Sequence, residues 1–278
     1  MSINWYPGHM VKAKKEIQEN MKLVDIVAML LDARAPFSCR NADLEKISAR
    51  KKLLVVLNKM DLASPDATQQ YLSRLRAEGL NAVAIDSTSG KGLSDVIQAL
   101  KTIYQPAADE MVQKGRRIRP ARVMVVGVPN IGKSTFLNCL VGKKMAQTGA
   151  RPGVTRGKQW VRVRDDIELM DTPGLMWPKV VGEEQGLKLA LLSIVGEKAY
   201  EEYEVTLFLL KLLQQKAPSI LIEKLKVISP ENSLEELLDE IARKRGHLLK
   251  AGALDLGKTC TSLLQDFRKG KLGRISLD

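Results

Sequence analysis

The sequence predicts two parts, an α/β domain with a mostly parallel sheet over residues 1–180 and a small all-α domain over residues 181–278. In the first part, short apolar runs rich in β-branched residues alternate with segments of helical periodicity. Alternation of this kind is typical of a parallel sheet with helices on both faces. After residue 180 the composition becomes Leu-rich and only helical patterns remain. A chain of 278 residues is also longer than an average single domain.

Six strands and four helices are expected in the α/β domain after its first 22 residues. The strands are the apolar runs at residues 25–32, 52–57, 82–85, 121–126, 159–163 and 167–170, the last two forming a hairpin. The helices cover residues 41–48, 68–78 and 93–104, and a fourth begins after residue 132. Between residues 105 and 120 the pattern lapses, and Pro106 with the basic residues that follow predicts a flexible connection.

Residues 1–22 form an N-terminal arm of distinct composition. Trp5, Tyr6 and His9 surround the turn dipeptide Pro7-Gly8, and a basic amphipathic helix is expected to follow. The two aromatic side chains either anchor the arm on the core or contact nucleic acid, and the sequence leaves both open. The arm lacks the basic start and apolar run of a secretory signal, so a cytoplasmic protein is expected.

The all-α domain is expected to contain two amphipathic helices. Leu and Ile recur at helical spacing over residues 234–241, where Ser233 and Glu236 are placed to form a capping box. A second apolar stripe runs from Leu256 to Phe267. The cations from residue 243 onward either complement helix ends or face RNA.

The formal net charge of +12 limits the classes of partner. The excess of Lys and Arg falls within residues 1–180, whereas residues 181–278 are balanced. A basic region of this kind favours a polyanionic partner, although a basic surface that only keeps the protein soluble would have the same composition. No apolar run approaches the roughly 18 residues of a membrane span. The three cysteines are scattered, as in reduced cytosolic proteins, and form no metal or redox motif.

The strongest motif is the stretch from Gly127 to Ser134, which fits the pattern G-x-x-x-x-G-K-[ST]. A predicted strand precedes it and a predicted helix follows. Backbone N–H groups and the positive end of the helix would therefore face a phosphate chain. Lys133 would reach the β- and γ-phosphates, and the Ser134 hydroxyl would ligate Mg²⁺.

A second motif predicts which base is bound. Asn58-Lys59-Met60-Asp61 follows a predicted strand and fits N-K-x-D. The Asp61 carboxylate can accept from both the ring N–H and the exocyclic amine of guanine, whereas adenine presents the opposite pattern at that edge. The turn at residues 86–90, after the third strand, can place backbone N–H groups, including that of Ser87, on the guanine carbonyl.

A third motif, Asp171-Thr172-Pro173-Gly174, completes the phosphate end of the site. Asp171 would hold Mg²⁺ and the Gly174 amide would contact the γ-phosphate. Thr155 lies in a basic, Gly-rich loop between the phosphate loop and Asp171, where a mobile switch is expected to close on Mg²⁺.

The guanine-reading segments precede the phosphate loop, which is the reverse of the usual GTPase order. In an open α/β sheet the site is built from loops at the carboxyl ends of strands. Such loops can be joined in another order if the former termini are bridged, and residues 105–120 are the expected bridge. Together with residues 4–10, 152–157 and 272–276, these motifs resemble those of the circularly permuted P-loop GTPases of the ribosome biogenesis GTPase A (YlqF/RbgA) family.

The resemblance covers essentially the whole chain. It implies a cytoplasmic, Mg²⁺-dependent GTPase of late large-subunit assembly that binds rRNA through its helical domain, binds neither DNA nor membrane, and is monomeric away from the ribosome. The expected metal ligands are Ser134, Thr155 and Asp171. The expected contacts to GTP or GDP are Asn58, Lys59, Asp61, Ser87, Asn130, Ile131, Gly132, Lys133, Ser134, Thr135 and Gly174.

The sequence leaves open which residue orients the attacking water. Leu175 stands where many GTPases carry a Gln, and Leu cannot hydrogen-bond water, so intrinsic hydrolysis should be slow. The resemblance assigns His9 to this role, with Lys133 and Thr155 as the other catalytic residues, although His9 equally fits a packing residue of the arm. Asn at the position of Asn130 binds K⁺ in similar phosphate loops, so a potassium ion is another source of positive charge.

Two other functions remain open at this point. A nucleotide-sensing scaffold without useful hydrolysis would explain Leu175, whereas the intact set of Lys133, Ser134, Thr155 and Asp171 favours turnover. Another translation- or tRNA-related GTPase would share the nucleotide motifs but not the N-terminal arm.

Overall fold

The computed structural model describes residues 15–142, 160–170, 182–196, 199–250 and 252–278. The chain divides into two compact units, whose main segments run from Asn4 to Lys179 and from Val180 to Leu277. We call them the sheet unit and the helical unit. No helix among the described residues combines the length and apolar character needed to cross a membrane.

The described strands of the sheet unit form one sheet in the order β3-β2-β1-β4-β6-β5. All neighbouring pairs are parallel except β5 and β6, which form the predicted antiparallel hairpin. The fold class predicted from the sequence is therefore confirmed. The strands are β1 (Ile26–Asp32), β2 (Lys52–Asn58), β3 (Asn81–Ile85), β4 (Ala121–Gly127), β5 (Trp160–Arg164) and β6 (Ile167–Met170).

The core lies on the central strands. Every residue of β1 is buried, and β2 and β4 are buried along most of their length. Because helices cover both faces of a parallel sheet, its central strands have continuous apolar sequences rather than alternating ones. The apolar runs in the sequence reflect this two-sided burial.

The named α-helices of the sheet unit are α1 (Ala42–Ser48), α2 (Pro65–Ala77), α3 (Leu93–Gln113) and α4 (Lys133–Val141). Residues 15–20 are also helical and lead into a 3-10 turn at Met21–Leu23. In this region Ile17 and Met21 are buried, as an amphipathic helix requires.

The flexible connection predicted at residues 105–120 is wrong over its first half. Helix α3 continues through Pro106 to Gln113 because its apolar stripe extends to the buried Ala108. A proline inside a helix removes one backbone hydrogen bond, but packing against the sheet outweighs that loss here. The far end is also anchored, because the Arg119 guanidinium contacts the Asp25 carboxylate at 2.7 and 2.8 Å.

The helical unit contains α5 (Glu183–Leu191), α6 (Glu202–Lys216), α7 (Pro218–Glu223), α8 (Leu234–Lys244) and α9 (Leu256–Arg268) among its described residues. The predicted capping box is present, since Ser233 and Glu236 each cap the other's backbone N–H at the start of α8. The predicted stripe on α9 is buried from Cys260 to Phe267. Both amphipathic helices are therefore confirmed.

The strand register brings the predicted motifs to one edge of the sheet. Asp32 of β1 pairs with Asn58 of β2, and Asn58 pairs with Ile85 of β3. On the other side, Leu30 of β1 pairs with Gly127 of β4. The guanine-reading segments and the phosphate loop thus leave the sheet side by side, although they are far apart in sequence.

Candidate functional site

The phosphate loop connects the end of β4 to the start of α4. Gly132 has φ 97° and Asn130 has φ 58°, two left-handed conformations that turn the chain back toward the helix. The Lys133 Nζ donates to the carbonyl oxygens of Gly127 and Val128 at 3.2 and 3.0 Å. This ammonium group therefore lies over the start of the loop, where a phosphate would experience its charge.

Asn58 joins the phosphate loop to the guanine-reading segments. Its buried Nδ2 donates to the Ile131 carbonyl at 3.0 Å, and its Oδ1 accepts from the Ser87 hydroxyl at 2.6 Å. A Cβ atom added to Gly132 would lie 2.5 Å from Asn58 Nδ2. Only glycine permits this close approach, so three separate motifs meet at one amide side chain.

Lys59 makes a second connection. Its Nζ donates to the Asn130 carbonyl at 3.0 Å and lies 3.2 Å from Asp32 Oδ2. Its backbone also has a left-handed φ of 60°. Strained backbone of this kind at two adjoining positions, Lys59 and Asn130, is typical of ligand sites, where the surrounding structure over-determines the conformation.

Asp32 and Arg34 are site residues that the motif analysis missed. Burial alone would raise the pKa of the Asp32 carboxyl, but the Arg34 guanidinium and the Lys59 ammonium hold that pKa at about 2. The Arg34 Nε and Nη2 donate to the two carboxylate oxygens at 2.9 and 2.8 Å. An Asp as the last residue of a buried apolar strand, at the carboxyl edge of a predicted parallel sheet, is the signal that could have identified Asp32.

Asp61, the predicted guanine acceptor, lies exposed at the rim of this edge. Partial desolvation raises the pKa of its carboxyl, and the negative charges of Asp86 and Asp32 act in the same direction. A carboxylate in such a field gains more than an isolated one from a ligand that presents two N–H donors.

The turn after β3 is organised by Asp86. Its Oδ1 accepts from the N–H groups of Thr88 and Ser89 at 2.8 and 3.3 Å, and its carbonyl accepts from the N–H of Gly90 at 2.8 Å. Burial opposes ionisation, yet the hydrogen bonds from Ser89 and Thr88 lower the pKa of Asp86. The Ser87 side chain supports Asn58, a role that the sequence analysis had not assigned to it.

The predicted metal and γ-phosphate ligands are only partly described. Ser134 and Thr135 are exposed in the first turn of α4, where a hydroxyl oxygen suits the hard Mg²⁺ ion. Strand β6 is parallel to β4 and ends at Met170, so its carboxyl end faces the same side of the sheet as that of β4. Other predicted residues lie outside the described ones, namely His9, Thr155, Asp171, Gly174 and Leu175.

The arrangement has the chemistry of a nucleoside phosphate site. A helix N-terminus, a glycine-rich loop and an ammonium group provide positive potential for a phosphate chain. A carboxylate and a tight turn follow the adjoining strand ends at the same carboxyl edge of the sheet. Asn58, Ser87 and Lys59 hold the two halves together.

Comparison with known proteins gives consistent results. Residues 122–248 match the family model of the 50S ribosome-binding GTPase. The chain is 40% identical over 279 residues to ribosome biogenesis GTPase A of Priestia megaterium, covering 100% of the chain and 97% of that relative. It is 32% identical to the protein of the same name from Thermotoga maritima, covering 99% and 94%. The structure of GNP-bound YlqF from T. maritima superposes with a TM-score of 0.67 and 27% identity, covering 96% of this chain and 97% of that one.

Proposed function

The chain belongs to the ribosome biogenesis GTPase A family and is a GTP hydrolase of ribosome assembly, and we propose that its nucleotide state controls when it binds and leaves a precursor of the large ribosomal subunit. The observation that supports the nucleotide part most strongly is the junction at Asn58. There the phosphate loop and two guanine-reading segments are connected by side-chain hydrogen bonds.

GTP is proposed to lie across this junction. Asp61 accepts from the guanine ring N–H and the exocyclic amine. The N–H groups of Thr88, Ser89 and Gly90 already donate within their own turn. We therefore propose that the Ser87 N–H donates to the guanine carbonyl. The loop residues Asn130 to Thr135 surround the phosphates with N–H groups, and Lys133 neutralises the β- and γ-phosphates.

We propose that Ser134, Thr155 and Asp171 would hold a Mg²⁺ ion beside the phosphates and that the Gly174 amide would contact the γ-phosphate. When bound, the ion would neutralise the charge that develops on the transferred phosphoryl group. Hydrolysis would remove the γ-phosphate that Gly174 contacts, so we propose that the segments carrying Gly174 and Thr155 respond to the nucleotide state.

Because of the permuted order, the proposed Mg²⁺ and γ-phosphate contacts at Asp171 and Gly174 lie next to the helical unit along the chain. Asp171 and Gly174 precede the boundary at Val180 by only a short segment. In the usual order of a GTPase, this segment would continue into the guanine-reading half instead. We therefore propose that the helical unit reports the nucleotide state by changing its contact with rRNA.

Water activation is proposed to need a group from outside the sheet. Leu175 offers no hydrogen bond, so His9 of the arm is assigned to position the water, with a K⁺ ion on Asn130 as the other source of positive charge. His9→Ala should leave GTP affinity near normal and remove most of the particle-stimulated rate, since positioning groups contribute about 10²–10⁴-fold. An unchanged rate at saturating particle would reassign His9 to packing of the arm.

The proposed partner is the large-subunit precursor and its rRNA, rather than DNA or a membrane, and the protein is proposed to act in the cytoplasm and to be monomeric off the ribosome. The net charge of +12 is consistent with a phosphate-rich partner. The test compares steady-state GTP hydrolysis with and without purified large subunits. We expect slow basal hydrolysis whose rate rises strongly when large subunits are added. A rate that does not change on addition of large subunits would favour a nucleotide-sensing scaffold.

A further inference from the structure

Asp32 is a fully buried carboxylate that none of the proposed nucleotide contacts uses. We propose that Asp32 is a positioning residue for guanine nucleotide binding, which acts by holding Lys59 against the phosphate loop. This inference rests on the proposed placement of the nucleotide at the carboxyl edge of the sheet. It adds a residue from β1, a strand that carries none of the recognised motifs.

The two carboxylate oxygens of Asp32 have different sets of partners. Oδ1 accepts from the backbone N–H and the Nε of Arg34, at 3.1 and 2.9 Å. Oδ2 accepts from Arg34 Nη2 at 2.8 Å and lies 3.2 Å from Lys59 Nζ. One carboxylate therefore faces two cations. Arg34 keeps the buried carboxyl ionised, so that Oδ2 carries negative charge beside the Lys59 ammonium group.

The contact with Asp32 fixes the position of the Lys59 ammonium group. A lysine side chain is long and flexible, and this one is 25% exposed, so its ammonium group has water as a competing environment. The buried Asp32 charge keeps the Nζ at the edge of the sheet. From there the Nζ donates to the Asn130 carbonyl at 3.0 Å.

Lys59 contacts the phosphate loop at Asn130. Asn130 has φ 58°, a conformation that an isolated chain would rarely adopt. Lys59 holds its carbonyl, as Asn58 holds the next carbonyl at Ile131. Each of these two hydrogen bonds fixes a peptide group of the loop before the nucleotide binds. If either is lost, binding must also order that peptide group, which costs free energy.

Loss of Asp32 should change nucleotide binding and leave the rate of the chemical step unchanged. Asp32 orders the loop for ground state and transition state alike, so its loss should raise Kd and KM without slowing the chemical step. We expect Asp32→Asn to raise the Kd for a fluorescent GDP analogue and the KM for GTP about 10- to 100-fold, with kcat within twofold of wild type.

A double-mutant cycle tests whether the effect passes through Lys59. Lys59→Met removes the ammonium group and keeps most of the aliphatic stem. If the effect runs through Lys59, adding Asp32→Asn to Lys59→Met should change the GDP Kd by less than about threefold. If instead the two losses multiply, Asp32 acts on the site by another route and the proposal is overturned.

The control variant is Asp25→Asn. Asp25 precedes the other end of β1, and its carboxylate accepts from the Arg119 guanidinium at 2.7 and 2.8 Å, so the same chemistry lies far from the phosphate loop. This substitution should lower the midpoint of thermal unfolding and leave the GDP Kd unchanged. Equal effects of Asp25→Asn and Asp32→Asn on the Kd would indicate general destabilisation and would contradict the positioning role.

Asp32→Asn alone leaves the buried Arg34 without its counter-charge, which can prevent folding. The paired substitution Asp32→Asn/Arg34→Met removes both buried charges and still releases Lys59, so it should reproduce the rise in Kd in a folded protein. Tight GDP binding by this folded variant would refute the inference alone. Failure of the wild-type protein to bind GDP would instead refute the proposed function.

Discussion

Replacing Gly132 by Ala tests the junction between the phosphate loop and Asn58 most severely. At φ 97° any residue with a Cβ is strained, which costs about 1–2 kcal/mol. The new Cβ would also lie 2.5 Å from Asn58 Nδ2, so the amide must move and lose its bond to the Ile131 carbonyl. Leaving buried polar groups unpaired costs about 1–3 kcal/mol.

These two effects add to about 3 kcal/mol, which corresponds to a loss of more than about 100-fold in nucleotide affinity if binding must restore the native loop. The assay is titration of a fluorescent GDP analogue, with urea unfolding measured in parallel. Gly79→Ala is the matched control, because Gly79 has φ 79° and no atom within 4 Å of an added Cβ. It should lower the free energy of unfolding by about 1 kcal/mol with the Kd unchanged. A Gly132→Ala protein that binds GDP within threefold of wild type would refute the reasoning.

Three further predictions follow from charge. Asp61→Asn should weaken GTP binding and improve binding of xanthosine triphosphate, whose carbonyl matches the amide N–H₂; equal affinities of the wild type for ATP and GTP would contradict the assignment. The lowered pKa of Asp32, about 2 against an ordinary 3.8, contributes about 2 kcal/mol of stability above pH 4 that is lost as the pH falls through this interval. Acid unfolding of Asp32→Asn/Arg34→Met should lack that component, and identical pH profiles would count against it. Affinity for large subunits should fall steeply with salt as phosphate-bound counterions are released, so a flat salt titration would indicate a protein-only contact.

The strands and the site motifs could be predicted because each depends on local sequence. Runs such as residues 26–32 are apolar throughout, and only strands buried on both faces need such a pattern. The phosphate loop and N-K-x-D carry fixed spacings, and a parallel sheet necessarily brings strand ends to one edge. Their unusual order did not matter, because the edge is defined in space rather than along the chain.

The end of α3 could not be predicted from the same kind of signal. Pro106 and the basic run after it are typical of a loop, and the sequence does not show that Ala108 would be buried. Tertiary packing decides this helix. The apolar stripe from Val96 to Tyr104 is visible in the sequence, but only the fold shows that it continues past Pro106 to Ala108.

The connections within the site were also beyond the sequence. Asn58 and Ile131 are 73 residues apart, and nothing local shows that an amide in one motif bonds a carbonyl in another. Asp32 matched no motif, and Ser87 had been assigned a contact through its backbone only. Such side-chain networks depend on rotamers and on the neighbours that the fold supplies, which a single sequence does not specify. The roles of His9, Thr155, Asp171 and Gly174 stay predictions.

GTP, rather than GDP, is proposed to place this protein on the large-subunit precursor. The most direct measurement is co-sedimentation with purified precursor and mature large subunits in a non-hydrolysable GTP analogue, in GDP and without nucleotide. The Gly132→Ala variant, in which nucleotide binding is expected to be weakened, serves as the control. We predict that the wild type sediments with the precursor in the analogue and stays in the supernatant with GDP, whereas the variant shows no difference. Equal sedimentation of the wild type in all three conditions would contradict control of ribosome binding by the nucleotide.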